Sequence, residues 1–173
     1  LYLHWPFCRA KCPYCDFNSH VSNDVDSKIF GDALCTEMTH MASLMPSRPP
    51  LSSLFFGGGT PSLMPPILVE RLIRHAEDLF SFTDNIEITA EANPTSVEAE
   101  AMLGFQKAGV NRVSMGVQSL DDAGLKFLGR EHSATDALHA LDKVNKAFDR
   151  VSIDLIYALP DQSPKAWQVM LGQ

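Results

Sequence analysis

The sequence lacks an excess of positive charge, long hydrophobic runs and evenly spread cysteine pairs. Its 173 residues contain 14 Lys and Arg against 21 Asp and Glu, a net charge of −7. This acidic balance argues against a nucleic-acid surface or an anionic-membrane surface. No hydrophobic run approaches the ~20 residues of a membrane-spanning helix. What is left is a globular chain of about one domain's length, with 45% hydrophobic residues to build its core.

The four cysteines do not form a disulfide framework. Three are crowded into eight residues, and the fourth, Cys35, lies in a helix-patterned stretch. Such crowding is typical of a metal site in a reducing compartment, for which we expect the cytosol. Because the sequence begins at Leu1 rather than Met and ends inside a predicted helix, we expect residues 1–173 to be one incomplete domain of a longer protein, lacking its C-terminal part.

Two common phosphate-binding patterns are also absent. The run Gly57-Gly58-Gly59-Thr60-Pro61 follows a predicted strand, but it has neither a Gly-Lys-Ser/Thr ending nor the G-x-G-x-x-G spacing. Three glycines nevertheless let backbone groups approach a ligand closely. The carboxyl end of a parallel strand is where α/β folds bind ligands. We therefore expect a ligand site at this glycine loop.

Short apolar runs alternate with longer helix-patterned runs along the whole chain. This order predicts an α/β fold of parallel strands joined by right-handed crossovers, either an open sheet or a barrel. The predicted strands are 1–5, 51–56, 85–90, 112–117 and 151–157. The predicted helices are 27–44, 65–80, 96–107 and 133–148, with one more opening near Pro164.

Three predicted strands carry polar residues on one face only, whereas helix-covered strands are normally apolar throughout. The polar rows are Glu87, Thr89 and Glu91; Ser114, Gly116 and Gln118; and Ser152 and Asp154. Isolated carboxylates are rarely buried without a partner. We therefore expect the rows to line an interior cavity that holds a polar ligand, which favours a barrel. The alternative is a solvated sheet face.

The crowded cysteines, Cys8, Cys12 and Cys15, have the spacing C-x3-C-x2-C. A [4Fe–4S] cluster usually takes four cysteines, one per iron, so three would leave one iron open to a small molecule. A zinc-stabilised structural domain, with His20 as a fourth ligand, is the alternative, because zinc takes Cys and His ligands.

Six segments in order resemble one family, the radical S-adenosylmethionine (SAM) superfamily. Within it, they are similar to the oxygen-independent coproporphyrinogen III oxidases and their heme-chaperone sister group. The segments are His4–Cys8, Gly57–Ser62, Glu91–Pro94, Asn111–Gln118, Leu128–Arg130 and Asp154–Pro160. The resemblance implies a partial (β/α)6 barrel, of which this chain holds about five βα units.

The resemblance also implies roles for individual residues. Cys8, Cys12 and Cys15 would ligate three irons of a [4Fe–4S] cluster, and SAM would bind the fourth. Electron transfer from the cluster would then split SAM into methionine and a 5′-deoxyadenosyl radical. The family's SAM contacts match Tyr2, Tyr14, Gly58, Gly59, Thr60, Glu91, Gln118, Arg130 and Asp154. Carboxylates, amides and arginine suit the hydroxyls and carboxylate of SAM.

One position separates the two sister groups. The oxidase pattern has a further cysteine two residues after the third, and here that residue is Phe17. We therefore favour a heme chaperone, with heme, an electron donor and heme-accepting respiratory proteins as partners. The alternative is an oxidoreductase that decarboxylates coproporphyrinogen III, a porphyrin precursor, to protoporphyrinogen IX.

Overall fold

The computed structural model describes residues 1–22 and 24–172. Five strands form one sheet: β1 Tyr2–Trp5, β4 Leu51–Gly58, β5 Phe82–Ala92, β6 Arg112–Gln118 and β7 Val151–Leu155. Their order in the sheet is β1-β4-β5-β6-β7, and every neighbouring pair is parallel. The predicted α/β fold with parallel strands is confirmed. β1 and β7 are the two edges of this sheet, so the barrel is partial.

Helices connect these strands. They are α1 Ser27–Leu44, α2 Pro66–Phe80, α3 Ser96–Lys107, α4 Asp122–Phe127, α5 Ala134–Asn145 and α6 Pro164–Leu171. All except α4 were predicted, with boundaries shifted by up to three residues. The last helix was expected to continue to the end of the chain, but it ends at Leu171 with Gly172 as its C-cap, and Gln173 lies outside the described residues.

The strands position the core through their alternation. The apolar rows of β4, β5 and β6, among them Phe56, Ile88 and Met115, are buried in one core cluster with residues of α2, α3 and α5. The helical stripe Leu68–Ala76 on α2 is buried in the same cluster, as its periodicity predicts. The polar row of each strand is therefore left on the opposite face.

A second, smaller sheet was not predicted. It pairs β2 Phe7–Cys8 in parallel with β3 His20–Val21 and joins the two ends of the segment that carries the cysteines. In the part of the chain that the structure describes, every helix is too short or too polar to cross a membrane.

Candidate functional site

The cysteine loop, residues 7–21, starts in β2 and ends in β3, and these two strands pair side by side. His20 N–H donates to Pro6 O at 2.7 Å, and Ser22 N–H donates to Cys8 O at 3.1 Å. Within the loop, Cys15 N–H donates to Cys12 O at 3.0 Å, which makes a turn between these two cysteines. Cys8, Cys12 and Cys15 are all free thiols. The backbone thus holds three thiols in one short, closed segment.

The glycine loop packs directly against this segment. Gly59 N–H donates to Trp5 O at 2.7 Å, and Thr60 N–H donates to Phe7 O at 2.9 Å. A Cβ atom on Gly59 would lie 2.7 Å from Phe7 O and 2.9 Å from Cys8 Sγ, closer than real Cβ atoms come. Gly59 therefore has to be glycine for the two loops to touch.

A cavity of about 280 Å³ opens at the carboxyl ends of the strands, between the two loops. The three cysteines line it together with eight of the predicted SAM contacts: Tyr14, Gly58, Gly59, Thr60, Glu91, Gln118, Arg130 and Asp154. Tyr2 is not among the lining residues. Its hydroxyl contacts His4 Nδ1 at 3.1 Å, and burial and the nearby charge of Glu91 raise its pKa. Tyr2 thus lies beside the cavity rather than on its wall.

Glu91 lies at the end of β5 and faces the glycine loop. Its Oε2 accepts a hydrogen bond from Gly58 N–H at 3.2 Å. Burial raises the pKa of Glu91 above its ordinary value of 4.5, and the charge of Asp154 adds to that increase, while the Gly58 N–H and His4 oppose it. Glu91 therefore takes up a proton at a higher pH than an exposed glutamate.

Arg130 links the cavity to the cysteine loop. Its Nη1 donates to Cys12 Sγ and to the Tyr14 hydroxyl, each at 3.4 Å. Its Nη2 donates to Asn93 Oδ1 at 2.6 Å and to Gly116 O at 2.9 Å. Burial raises the pKa of Tyr14 to about 12, although the charge of Arg130 opposes the increase. Tyr14 is therefore a neutral phenol beside the cysteines.

The polar rows were predicted to line the cavity, and only part of each row does so. Ser114, Gly116, Gln118, Glu91 and Asp154 are lining residues, whereas Glu87, Thr89 and Ser152 lie farther from the carboxyl ends of the strands and are not. Ser114 Oγ donates to Asp154 Oδ2 at 3.3 Å, and Ser152 Oγ donates to Ser114 Oγ at 3.1 Å. Arg112 Nη2 donates to Ser152 Oγ at 2.8 Å. These contacts form a hydrogen-bonded ladder that leads from Arg112 to the cavity residue Asp154.

Sequence reasoning missed several residues that shape the site. Asn93 was seen only as part of a motif, and Glu98 only as an acidic residue in the first turn of a helix. Glu98 is 5% exposed and accepts hydrogen bonds from Ser62 Oγ and Asn93 N–H. The buried His132 contacts Val117 O at 3.2 Å, and burial lowers its pKa. A buried partner of a cavity residue has no periodic signal in a sequence, and only its proximity in the fold reveals it.

The arrangement of the thiols bears on which metal they could hold. Within residues 1–22 and 24–172, no three His, Cys, Asp or Glu side chains converge on one metal-ion position. A tetrahedral zinc site needs its ligands around a single ion, with sulfurs ~2.3 Å from it. A [4Fe–4S] cluster takes one cysteine per iron and does not require such convergence. Three thiols suit three irons of such a cluster, whereas a tetrahedral zinc site would need a fourth ligand such as His20.

The chain is similar to several known proteins. A family model described as the radical SAM superfamily matches residues 2–172. The mitochondrial radical S-adenosyl methionine domain-containing protein 1 of Bos taurus is 42% identical over 96% of this chain and 38% of its own length. The heme chaperone HemW of Haemophilus influenzae is 40% identical over 94% of this chain and 44% of its own.

The fold of the chain is also similar to that of a solved structure. The coproporphyrinogen III oxidase HemN of Escherichia coli, a radical SAM enzyme, has a TM-score of 0.84 and 32% identity to this chain. It is matched over 99% of this chain and 40% of its own length. The chain thus spans about two fifths of the length of the curated relatives that it matches.

Proposed function

Since the chain belongs to the radical SAM superfamily, we propose that it binds a [4Fe–4S] cluster through Cys8, Cys12 and Cys15 and SAM in the adjoining cavity. The observation that carries this proposal is the direct contact between the cysteine loop and the glycine loop at Gly59. That contact brings three thiols and eight predicted SAM contacts to one cavity. When bound, the cluster would supply the electron that splits the sulfonium C–S bond of SAM.

The chain's own residues would bind and orient SAM. The carboxylates of Glu91 and Asp154 can accept hydrogen bonds from hydroxyl groups, and their charge favours a cation such as a sulfonium. Arg130 can pair with a carboxylate of the ligand, since its guanidinium presents several donors in one plane. Gly58 and Gly59 leave backbone groups open to the ligand. Burial of the cavity floor would limit the access of water to a reactive species.

The heme chaperone is the function that we favour within this family. Phe17 stands where the oxidase pattern has a cysteine, and it is 59% exposed on the wall of the cavity. An exposed aromatic side chain at this place offers apolar surface to a flat hydrophobic ligand such as heme. The Haemophilus influenzae relative carries the name heme chaperone, which supports the same choice.

A first experiment tests the cluster itself. We expect the full-length protein to turn brown with broad visible absorption after anaerobic reconstitution with iron and sulfide. The matched control is Cys35→Ala, which should turn brown as the wild type does. This half-buried cysteine lies on α1 and is not among the residues that line the cavity. A wild-type protein that stays colourless and instead retains stoichiometric zinc would overturn the proposal and support the zinc alternative.

A second experiment separates chaperone from oxidase. The reconstituted protein is incubated with SAM, a reductant and coproporphyrinogen III, and separately with heme. We expect stoichiometric heme binding and no decarboxylated product in the wild type, and weaker heme binding, still without product, in Phe17→Cys. Formation of protoporphyrinogen IX by the wild type would overturn the chaperone assignment and establish the oxidase.

The proposal also requires partners and a compartment. A reducing electron donor must reach the cluster, and a heme chaperone needs respiratory proteins that accept heme. We predict a reducing compartment such as the cytosol, from the four free thiols. The Bos taurus relative is named as mitochondrial, so fractionation of cells that express the full-length protein has to distinguish these two compartments.

A further inference from the structure

A buried carboxylate, Glu98, lies on the wall of the cavity and has no part in the proposed function. It is 5% exposed and stands in the first turn of α3, whose N-cap is Thr95. Its carboxylate accepts three hydrogen bonds, from Ser62 Oγ, from Asn93 N–H at 2.7 Å and from Asn93 Nδ2 at 3.2 Å. Burying a carboxylate is costly unless donors surround it. The three donors therefore compensate for the burial of this carboxylate.

Asn93 connects Glu98 to Arg130 through the two ends of its side-chain amide. Its Nδ2 points to Glu98, so its Oδ1 faces the other way and accepts from Arg130 Nη2 at 2.6 Å. The opposite amide orientation would place a carbonyl oxygen against the carboxylate and an NH₂ group against the guanidinium, and both contacts would be repulsive. Glu98 thus determines which atom of Asn93 meets Arg130.

The far side of Arg130 lies at the cysteine loop. A guanidinium is planar and rigid, so fixing Nη2 also fixes Nη1. Nη1 is the atom that donates to Cys12 Sγ at 3.4 Å. The third nitrogen, Nε, is buried and has no hydrogen-bond partner among the described residues. The contacts of Asn93 and of Gly116 O with Nη2, together with that of the Tyr14 hydroxyl with Nη1, therefore hold the guanidinium against this sulfur.

We propose that Glu98 is a positioning residue which, through Asn93, holds the Arg130 guanidinium against Cys12 Sγ and so raises the reduction potential of the bound cluster. This inference rests on the proposed function, because it presupposes a cluster at Cys12. Hydrogen bonds to the cluster sulfurs and nearby positive charge are among the factors that set its potential. The reduced cluster carries more negative charge, so a fixed cation beside its ligand stabilises that state.

The test measures the reduction potential of the reconstituted cluster in the full-length protein, without SAM, by a potentiometric titration followed by electron paramagnetic resonance. We expect a lower potential in Asn93→Ala and in Arg130→Gln, and a smaller decrease in Glu98→Gln, because the loss of its negative charge by itself raises the potential. The matched control is Glu100→Gln, because this exposed glutamate lies on the same helix and pairs with Lys143 at the surface. Its potential should equal that of the wild type.

The double variant Glu98→Gln/Arg130→Gln distinguishes positioning from a general structural effect. If Glu98 acts through Arg130, the double variant shows no decrease beyond that of Arg130→Gln alone, since coupled residues are not additive. An additive decrease, or an unchanged potential in both Glu98→Gln and Asn93→Ala, would overturn the inference and leave the proposed function standing. Should Glu98→Gln fail to fold, Asn93→Ala decides the question. A wild type that takes up no cluster would overturn the proposed function, and this inference with it.

Discussion

The two faces of the central sheet are built from the same strands and differ in both burial and chemistry. On the helix-covered face, Phe56, Val113 and Met115 are 0% exposed. On the cavity face, Glu91 and Asp154 alternate with apolar neighbours and line the cavity. Because successive side chains on a strand point to opposite faces, one short sequence specifies a core and a site at once. Substitutions should therefore affect either stability or ligand binding, according to the face that they alter.

The clearest separation between an effect on ligand binding and an effect on stability is expected at the cysteine loop. Cys12→Ala should abolish cluster formation, because two thiolates remain for a site that is expected to use three. The half-buried thiol lies off the hydrophobic core, so the apo protein should lose at most about 0.5 kcal/mol of stability. Iron and sulfide analysis and urea unfolding measure the two effects. A full cluster content in Cys12→Ala would remove this residue from the ligand set.

A substitution in the hydrophobic core, on the helix-covered side of the sheet, should lower stability and leave cluster binding unchanged. Phe105 on α3 is fully buried in the core cluster, and Phe105→Ala should cost about 3–5 kcal/mol of unfolding free energy. The cluster content of the folded fraction should stay that of the wild type. The free energy is read from urea unfolding of the apo protein. A loss of cluster without a loss of stability would contradict the separation of the two faces.

A smaller effect is expected inside the cavity. Glu91→Gln keeps the size of the side chain but removes its charge, and it should weaken SAM binding about tenfold, the equivalent of ~1.4 kcal/mol for a hydrogen bond to a charged group. Glu87→Gln is the matched control on the same strand and the same face, since Glu87 instead pairs with Arg150 away from the cavity. Isothermal titration calorimetry with the reconstituted proteins compares them. Equal affinities for the two variants would remove Glu91 from the site.

The smallest effect concerns pH. Burial raises the pKa of Glu91 in the folded protein, so the native state binds this proton more tightly than the unfolded state does. The free energy of unfolding should therefore decrease as the pH rises from the ordinary value of 4.5 through the raised pKa. Glu91→Gln should flatten this decrease. Urea unfolding of apo wild type and variant at several pH values tests it, and parallel curves would contradict the raised pKa.

The sequence predicted the regular elements better than the irregular ones. Strong periodicity identified α2 and the alternating strands β5 and β6, because burial repeats at a fixed spacing in each. The helix α4 escaped prediction since it has six residues, with Gly124 among them. The paired strands β2 and β3 have two residues each, too few for any pattern. Their existence depends on contacts between residues that are distant in the sequence.

The same limit applies to the site. Eight of the nine predicted SAM contacts line the cavity, whereas Tyr2 lies beside it. Strand alternation indicated Glu91, Gln118 and Asp154 among them, and the family resemblance indicated the other five. Which of them contacts SAM is still a prediction. The carboxylate of Glu98 could not be placed from the sequence, because its partner Ser62 is distant along the chain, in the short 3-10 helix Pro61–Leu63. Long-range hydrogen bonds of this kind follow from the fold and not from local pattern.

The short pairing of β2 with β3 has a kinetic consequence for metal uptake. Closing a loop costs conformational entropy. In the folded protein this loop is already closed, where His20 N–H donates to Pro6 O. The three thiols are thereby tethered at a high effective concentration before any iron arrives. Assembly of the proposed cluster would then start from three tethered thiols rather than from a disordered peptide. The hydrogen bonds that close the loop would set how fast that assembly proceeds, although none of them involves a thiol.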